Sequence, residues 1–123
     1  MKVIVRITAN FKSEVKPLLK KYKSLTADLL KLQKELIENP RLGTSLGKDI
    51  YKIRLKITSK NKGKSGGARV ISLVDSILIG FAEQTSSEEI TVNLLSIYDK
   101  SDVANLTDKE LKDLIKSFQE RSK

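Results

Sequence analysis

The strongest constraint on the fold is the unbroken alternation of apolar and cationic residues from Tyr51 to Ile57. Successive side chains of a β-strand point to opposite faces, so a period of two predicts a strand. The apolar face would consist of Tyr51, Ile53, Leu55 and Ile57, and the other face of Lys52, Arg54 and Lys56. A cationic face of this kind is either a solvated outer surface or a binding surface for an anion.

The preceding sequence predicts one strand and two helices. "MKVIVRIT" is typical of a strand, and "NFKSEVKPLLKKY" of a helix that tolerates Pro17 if the proline lies near the first turn. A second helix should begin near Ser24 or Thr26 and end at the Asn39–Pro40 pair. Its apolar stripe would be formed by Leu25, Leu29, Leu32 and Leu36.

The following sequence predicts consecutive strands and a last helix. "RLGTSLGKD" is expected to be a loop, and Thr58 to Ala68 a mobile basic loop. "RVISLVDSILIGFAE" favours one long strand, or two strands broken by a bulge near Asp75 and Ser76. "ITVNLLSIY" is another strand, and Thr107 with Glu110 predicts a capping box for the C-terminal helix. The order strand-helix-helix-strand-strand-strand-helix indicates an α+β fold, with an antiparallel-rich sheet and a two-helix hairpin on one face.

Size and composition narrow the functional classes. The chain has 123 residues, which fits a single domain covering residues 1–123, and it contains neither cysteine nor histidine. We therefore expect no metal and no cofactor, and any catalysis must use Lys, Arg, Tyr or carboxylates. The net charge of +9 favours a polyanionic partner such as nucleic acid, although an anionic membrane or an acidic protein also fits. No apolar run approaches the roughly 20 residues of a membrane span, and no signal peptide is evident, which predicts a cytoplasmic protein.

Further cations and a tyrosine extend the candidate surface. The glycine-rich loop carries Lys60, Lys62 and Lys64, which could approach phosphates or could simply be solvated. Arg69 opens the next strand and should lie opposite or diagonal to the first cations. Tyr98 and Lys100 end the last strand, where Tyr98 could stack on a base or transfer a proton, or could be an aromatic residue at the edge of the core.

The segments "NPRLGTSLG", "YKIRL", "GKSGGARVI" and "LLSIYDKSD…LTDKELKDLI" together resemble the RelE-type toxins of bacterial type II toxin–antitoxin modules, closest to their HigB-like branch. The resemblance extends from about Phe11 to Ile115. It implies a RelE-like fold and a metal-independent endoribonuclease that inhibits translation by cleaving mRNA in the ribosomal A site. It also implies an RNA-binding protein that a cognate antitoxin holds inactive.

The resemblance assigns the catalytic residues. The cationic strand residues of the family match Lys52 and Arg54, its next arginine matches Arg69, and its C-terminal catalytic region falls at Tyr98 and Lys100. Lys56, Lys60, Lys62 and Lys64 would bind RNA phosphates. Guanidinium groups suit the charge of the phosphorane, and Lys52 among other cations could serve as general base or acid. Two alternatives stay open: a ParE-like poison of DNA gyrase without nuclease activity, and a basic binding module without any activity.

Overall fold

A computed structural model describes residues 2–60, 66–79, 87–103 and 105–121. The described elements are β1 (Lys2–Ile7), α1 (Ala9–Lys21), α2 (Leu25–Glu38), β2 (Thr44–Gly47), β3 (Ile50–Leu55), a 3₁₀ turn (Thr58–Lys60), β4 (Ala68–Ile79), β5 (Ser87–Asp99) and α3 (Asp108–Arg121). None of the described helices is long and apolar enough to cross a membrane.

The described strands form one five-stranded mixed sheet in the order β1-β5-β4-β3-β2. β1 runs parallel to β5, whereas the other neighbours are antiparallel. The prediction of an α+β fold with an antiparallel-rich sheet is therefore confirmed. The expectation of a loop at "RLGTSLGKD" was wrong, because β2 forms there and pairs with β3 through a turn at Lys48 and Asp49, whose φ angles are 52° and 63°. Two positive φ angles are typical of the tight turns that match the twist of a hairpin.

The two-helix hairpin packs on one face of the sheet, as the apolar stripes predict. Leu25, Leu32 and Leu36 of α2 are buried there, together with Ile53, Leu55 and Ile57. The apolar face of the alternating segment thus lies in the main core. Burying a Leu or Ile side chain contributes roughly 1.5–3 kcal/mol, so this face ties β3 firmly to the helices.

The position of Pro17 differs from the expectation. Thr8 caps α1 by accepting a hydrogen bond from the Phe11 amide at 3.2 Å, so the helix begins early and Pro17 lies in its interior. A proline there removes one helical hydrogen bond and crowds the preceding turn. Pro17 is exposed to solvent, where water can satisfy the freed carbonyl group.

The other face of the sheet carries α3 and a second apolar cluster. Its buried members are Ile50, Ile71, Leu73, Leu95 and Tyr98. The capping box is confirmed: the Glu110 amide donates to Thr107 Oγ1, and the Thr107 amide donates to Glu110 Oε1, both at 3.1 Å. β4 is one strand, and its pairing with β5 is regular near Asp75 and Ser76; the register shifts instead between Ile71 and Ser72, which pair with Ser96 and Leu94, so the extra residue is Leu95 of β5. Ile71 and Leu73 are two residues apart on β4, so both face α3 together with Leu95.

Candidate nucleic-acid interface

Three predicted site residues lie side by side across the sheet. Arg54 on β3 is directly opposite Arg69 on β4, and Arg69 is directly opposite Tyr98 on β5. Opposed residues of neighbouring strands have Cβ atoms about 4.5–5.5 Å apart and point to the same face. The sheet therefore aligns two guanidinium groups and a phenol in one row.

Lys52 joins this row from the same face of β3. It precedes Arg54 by two residues, a spacing of about 6.6–6.8 Å along a strand, comparable to that between neighbouring phosphates of a single strand. Its own row contains Thr44, Ile71 and Ser96. Neither of the two rows contains a carboxylate.

The members of the row differ in exposure. Lys52 is half-buried and Arg54 exposed, whereas Arg69 and Tyr98 are only 2% and 6% exposed. The Arg69 guanidinium donates a hydrogen bond to the Ala68 carbonyl oxygen at 3.1 Å. The candidate surface thus has an open edge at β3 and a covered interior at β4 and β5.

The residues that cover the interior of the row include the chain segment that precedes α3. We call Val103, Asn105, Leu106 and Thr107 the α3 leader. Val103 and Leu106 pack against the cluster that contains Tyr98. Lys52 Nζ donates to Asn105 Oδ1 at 3.3 Å, so the leader reaches across to β3. Asn105 escaped the sequence analysis because no periodic pattern marks a contact between a strand and a distant loop.

The Tyr98 hydroxyl is buried and makes no hydrogen bond of ordinary length and angle to another described residue. Burial raises the pKa of this hydroxyl, and the positive charge of Arg69 and the nearby Leu106 backbone only partly oppose the rise. A phenol with a raised pKa keeps its proton at neutral pH. Tyr98 is therefore protonated at neutral pH and cannot act as a base, and its raised pKa makes it a weaker acid than an ordinary tyrosine.

The remaining predicted residues do not join this row. Lys100 is exposed in the turn after β5, and Lys56 is exposed just beyond β3. Lys62 and Lys64 lie outside the described residues. Lys60 is held in an ion pair with Asp99, with Lys60 Nζ 2.6 Å from Asp99 Oδ1, and its side chain is 11% exposed. Its assignment to phosphate binding stays a prediction.

Asp99 is the centre of a network that the sequence analysis did not identify. Its side chain is fully buried and accepts hydrogen bonds from the Tyr22 hydroxyl, from Lys60 Nζ at 2.6 Å and from the Ser101 amide at 2.9 Å. Burial by itself would raise the pKa of Asp99. The hydrogen bonds from Lys60, Tyr22 and Ser101, together with the charge of Lys60, outweigh burial and hold this pKa well below its usual range. Asp99 therefore stays ionised and ties β5 to the end of α1 and to the 3₁₀ turn.

A second carboxylate fixes the start of the basic loop. Asp28 of α2 accepts hydrogen bonds from the Thr58 hydroxyl at 2.6 Å, the Thr58 amide at 3.0 Å and the Ser24 hydroxyl at 2.8 Å. Burial opposes ionisation, but these hydrogen bonds prevail and lower the pKa of Asp28. The expectation of a mobile loop from Thr58 to Ala68 was therefore wrong at both ends, since Thr58–Lys60 forms a pinned 3₁₀ turn and Ala68 begins β4.

Comparisons with known proteins give no family for this chain. No protein-family model matches the sequence, and no curated protein is significantly similar to it.

Proposed function

We propose that this protein is a toxin of a bacterial type II toxin–antitoxin system that cleaves mRNA in the ribosomal A site, and that its fold is RelE-like. The observation that supports the proposal most is the row formed by Arg54, Arg69 and Tyr98, with Lys52 beside it on the same face. This set combines phosphate-binding cations with a protonated phenol, and cleavage of RNA needs groups that stabilise the charge of the phosphorane and groups that transfer protons.

The proposed reaction is internal transfer of the phosphate. The 2′-oxygen of the RNA attacks the adjacent phosphorus, the bond from phosphorus to the 5′-oxygen breaks, and a 2′,3′-cyclic phosphate and a free 5′-hydroxyl result. We assign removal of the proton from the 2′-hydroxyl to Lys52, which lies beside Arg54 on the same face of β3. Arg54 and Arg69 would stabilise the charge of the phosphorane, since a guanidinium matches two phosphate oxygens at once. Tyr98 would donate its proton to the departing 5′-oxygen.

The burial of Arg69 and Tyr98 adds a requirement. Because both side chains are nearly inaccessible, RNA can reach them only if the residues that cover the row move away from it. The leader is held to β3 by the exposed Lys52–Asn105 hydrogen bond and to the sheet by Val103 and Leu106.

The test is cleavage of a defined mRNA in a purified bacterial translation system, with the products mapped by primer extension and their 5′ ends examined. We expect cuts in phase with the codons, only on translated mRNA, with 5′-hydroxyl ends. The variant Arg54→Ala should abolish most cleavage, whereas Arg41→Ala should retain it, because Arg41 is an exposed arginine outside the row.

Other outcomes would reject the proposal. Inhibition of DNA gyrase without mRNA cleavage would support the ParE-like alternative, and cleavage that Arg54→Ala leaves at the original rate would locate the active site elsewhere. Absence of both activities would favour a basic binding module.

A further inference from the structure

The outer half of β4 has an open edge. The pairing of β3 with β4 ends before residues 75–79, and the described part of the chain provides no other strand on that side of them. The Val74 amide donates to the Asp49 carbonyl oxygen at 2.9 Å, so the backbone groups of Val74 face the β3 side. Because these groups alternate along an antiparallel strand, the amide and carbonyl groups of Ser76 and Leu78 also face outward. They constitute an open position for strand pairing.

This edge lacks the features that protect the other described edges of the sheet. Exposed edges in native proteins are usually short, or carry lysine, proline or a bulge that hinders pairing. The β2 edge has only 4 residues, and the β1 edge carries Lys2 and Arg6. Residues 75–79 contain neither lysine nor proline, their pairing with β5 is regular, and Ile77 is 61% exposed. The outer half of β4 is therefore suited to pair with a further strand.

The charge around this edge restricts the kind of strand that fits it. No lysine or arginine occurs between Arg69 and Lys100, although the chain has 24 basic residues. Neither β4 beyond Arg69 nor β5 therefore contributes a cation that would attract a nucleic acid or an acidic peptide.

The three described carboxylates beside this edge face partners within the chain. The pairs are Asp75 with the Asn93 amide group at 3.0 Å, Glu88 with the Ser76 hydroxyl at 2.9 Å, and Glu89 opposite Lys2 in the sheet register. These contacts weaken the attraction of the edge for a basic partner. An apolar and nearly uncharged strand fits best, and residues 75–79 of a second copy are such a strand.

We propose that residues 75–79 of two copies of this chain pair antiparallel about a two-fold axis at Ile77, which joins the two sheets into one. In this register Ser76 is opposite Leu78 of the second copy, and both residues turn their backbone groups outward, so they can exchange hydrogen bonds. Ile77 is then opposite Ile77 of the second copy at a position without mutual hydrogen bonds, where opposed side chains are closest. Burial of the two exposed isoleucine side chains favours the pairing.

The pairing produces a closed dimer that leaves the candidate RNA surface open. Asp75 would lie opposite Ile79 of the second copy, so the pairing brings no like charges together. Because both copies use the same edge, the assembly is complete at two copies. So short an interface predicts a weak dimer that depends on concentration. Ile77 lies roughly 26 Å from Arg69 along β4, so the inference goes beyond the proposed function and does not depend on nuclease activity.

The first test is sedimentation velocity of the full chain over a series of concentrations. We expect monomers at low concentration and dimers at high concentration. Ile77→Lys places two ammonium groups opposite each other and removes the apolar pair, so it should raise the dissociation constant of the dimer about tenfold or more. Leu30→Lys makes the same change on α2, where Leu30 is 56% exposed, and should leave the dissociation constant unchanged.

The second test measures the register by cross-linking, since the chain contains no cysteine of its own. Ile77→Cys should form a disulfide-linked dimer under mild oxidation, because opposed Cα atoms at such a position are about 4.5 Å apart, within the reach of a disulfide. Ser76→Cys alters an exposed neighbour whose copy would be more than about 7 Å away, so it should cross-link little.

Three results would overturn the proposal. Monomers at every concentration, without a cross-link of Ile77→Cys, would show that the edge stays unpaired. Equal cross-linking of Ile77→Cys and Ser76→Cys, or an equal effect of Ile77→Lys and Leu30→Lys, would mean that the copies associate without this register. Species that grow beyond the dimer with concentration would indicate head-to-tail pairing with the β1 edge. Cleavage of mRNA by the same variants is a separate measurement, so the failure of either proposal can be recognised independently.

Discussion

Arg54 and Arg69 occupy opposite positions on neighbouring strands although they carry the same charge. Like charges directly opposite each other destabilise a sheet. An anion that binds between the two guanidinium groups is attracted by both and also weakens their mutual repulsion. The two residues differ in accessibility, since Arg54 is exposed and Arg69 is buried. Arg54 is therefore the first guanidinium of the row that a phosphate would contact. Its substitution should reduce phosphate binding most directly.

We predict that Arg54→Ala lowers the rate of translation-dependent mRNA cleavage by about 100-fold, the usual cost of removing one donor that stabilises a transition state. Arg54→Lys should give an intermediate rate, because lysine keeps the charge but not the two-pronged geometry. Single-turnover cleavage on programmed ribosomes measures both. If lysine performs as well as arginine, charge alone accounts for the role of Arg54.

Tyr98 provides a test of the covered interior of the row. Because burial raises the pKa of its hydroxyl, the Tyr98 signal should titrate above the ordinary value of 10.0, and Tyr98→Phe should remove that signal. NMR of ¹³C-labelled tyrosine measures the titration. Leu106→Ala thins the α3 leader and should shift the pKa of Tyr98 toward its ordinary value. Leu30→Ala, on an exposed side of α2, should not.

At the level of elements, Asp99 holds three parts of the chain together. It lies at the end of β5, and its partners Tyr22 and Lys60 lie at the end of α1 and in the 3₁₀ turn. Breaking a buried ion pair by removing one partner leaves the other charge uncompensated. Asp99 is adjacent in sequence to Tyr98, yet its side chain contacts the helical hairpin while Tyr98 belongs to the cluster under α3.

We predict that Asp99→Asn lowers the free energy of unfolding by about 3 kcal/mol, measured by urea denaturation. Lys21→Ala should cost much less than Asp99→Asn, because an ion pair of an exposed lysine is screened by water. The Lys21 ammonium is 55% exposed and 3.9 Å from the Asp99 carboxylate, which makes it a suitable control. A cost for Asp99→Asn no larger than that of Lys21→Ala would show that the network contributes little to stability.

The pH dependence of stability follows from the same carboxylate. The pKa of Asp99 in the folded protein is below its ordinary value of 3.8, so its contribution is fully present above that pH and is lost as the pH falls below it. The original protein should therefore lose stability in acid more steeply than Asp99→Asn does. Urea midpoints at a series of pH values measure this, and parallel curves for the two proteins would contradict it.

The elements also show what sequence patterns can predict. β3 was predictable because its alternation is strict, and α3 because Thr107 and Glu110 mark its start. β2 was not, since "TSLG" has no alternation and its pairing depends on a turn with positive φ at Lys48 and Asp49. The cations of the candidate site were predictable from the sequence in the same way. The Lys60–Asp99 pair and the Lys52–Asn105 contact were not, because each joins residues far apart in the chain.

For the whole molecule, 24 basic residues against 15 acidic ones make binding to RNA dependent on salt. A protein that neutralises phosphates releases counterions, and the logarithm of the binding constant falls linearly with that of the salt concentration. The size of the slope reports how many phosphates are contacted. The net charge of the protein does not report the number of contacted phosphates, because cations such as Lys60 are already paired within the protein.

We predict that Lys52→Gln and Arg54→Gln each reduce the salt slope for a single-stranded RNA oligomer by about 0.7, the value for one phosphate contact. Lys34→Gln removes an equal charge from an exposed position on α2 and should leave the slope unchanged. Anisotropy titrations at several salt concentrations measure it. An equal decrease for all three variants would mean that RNA senses only the net charge.

The neighbouring positions 98 and 99 have a consequence for any genetic screen for loss of the proposed activity. Tyr98 faces the cluster beneath α3, whereas Asp99 is bound by Tyr22 and Lys60 on the opposite layer. Substitutions at Asp99, Lys60 and Tyr22 will be recovered as inactive alongside those at Arg54, because a protein that unfolds also stops cleaving. Survivors of such a screen must be sorted by their abundance in the cell before they are mapped. Otherwise Asp99, which is buried at the end of β5, will be mistaken for part of the catalytic centre.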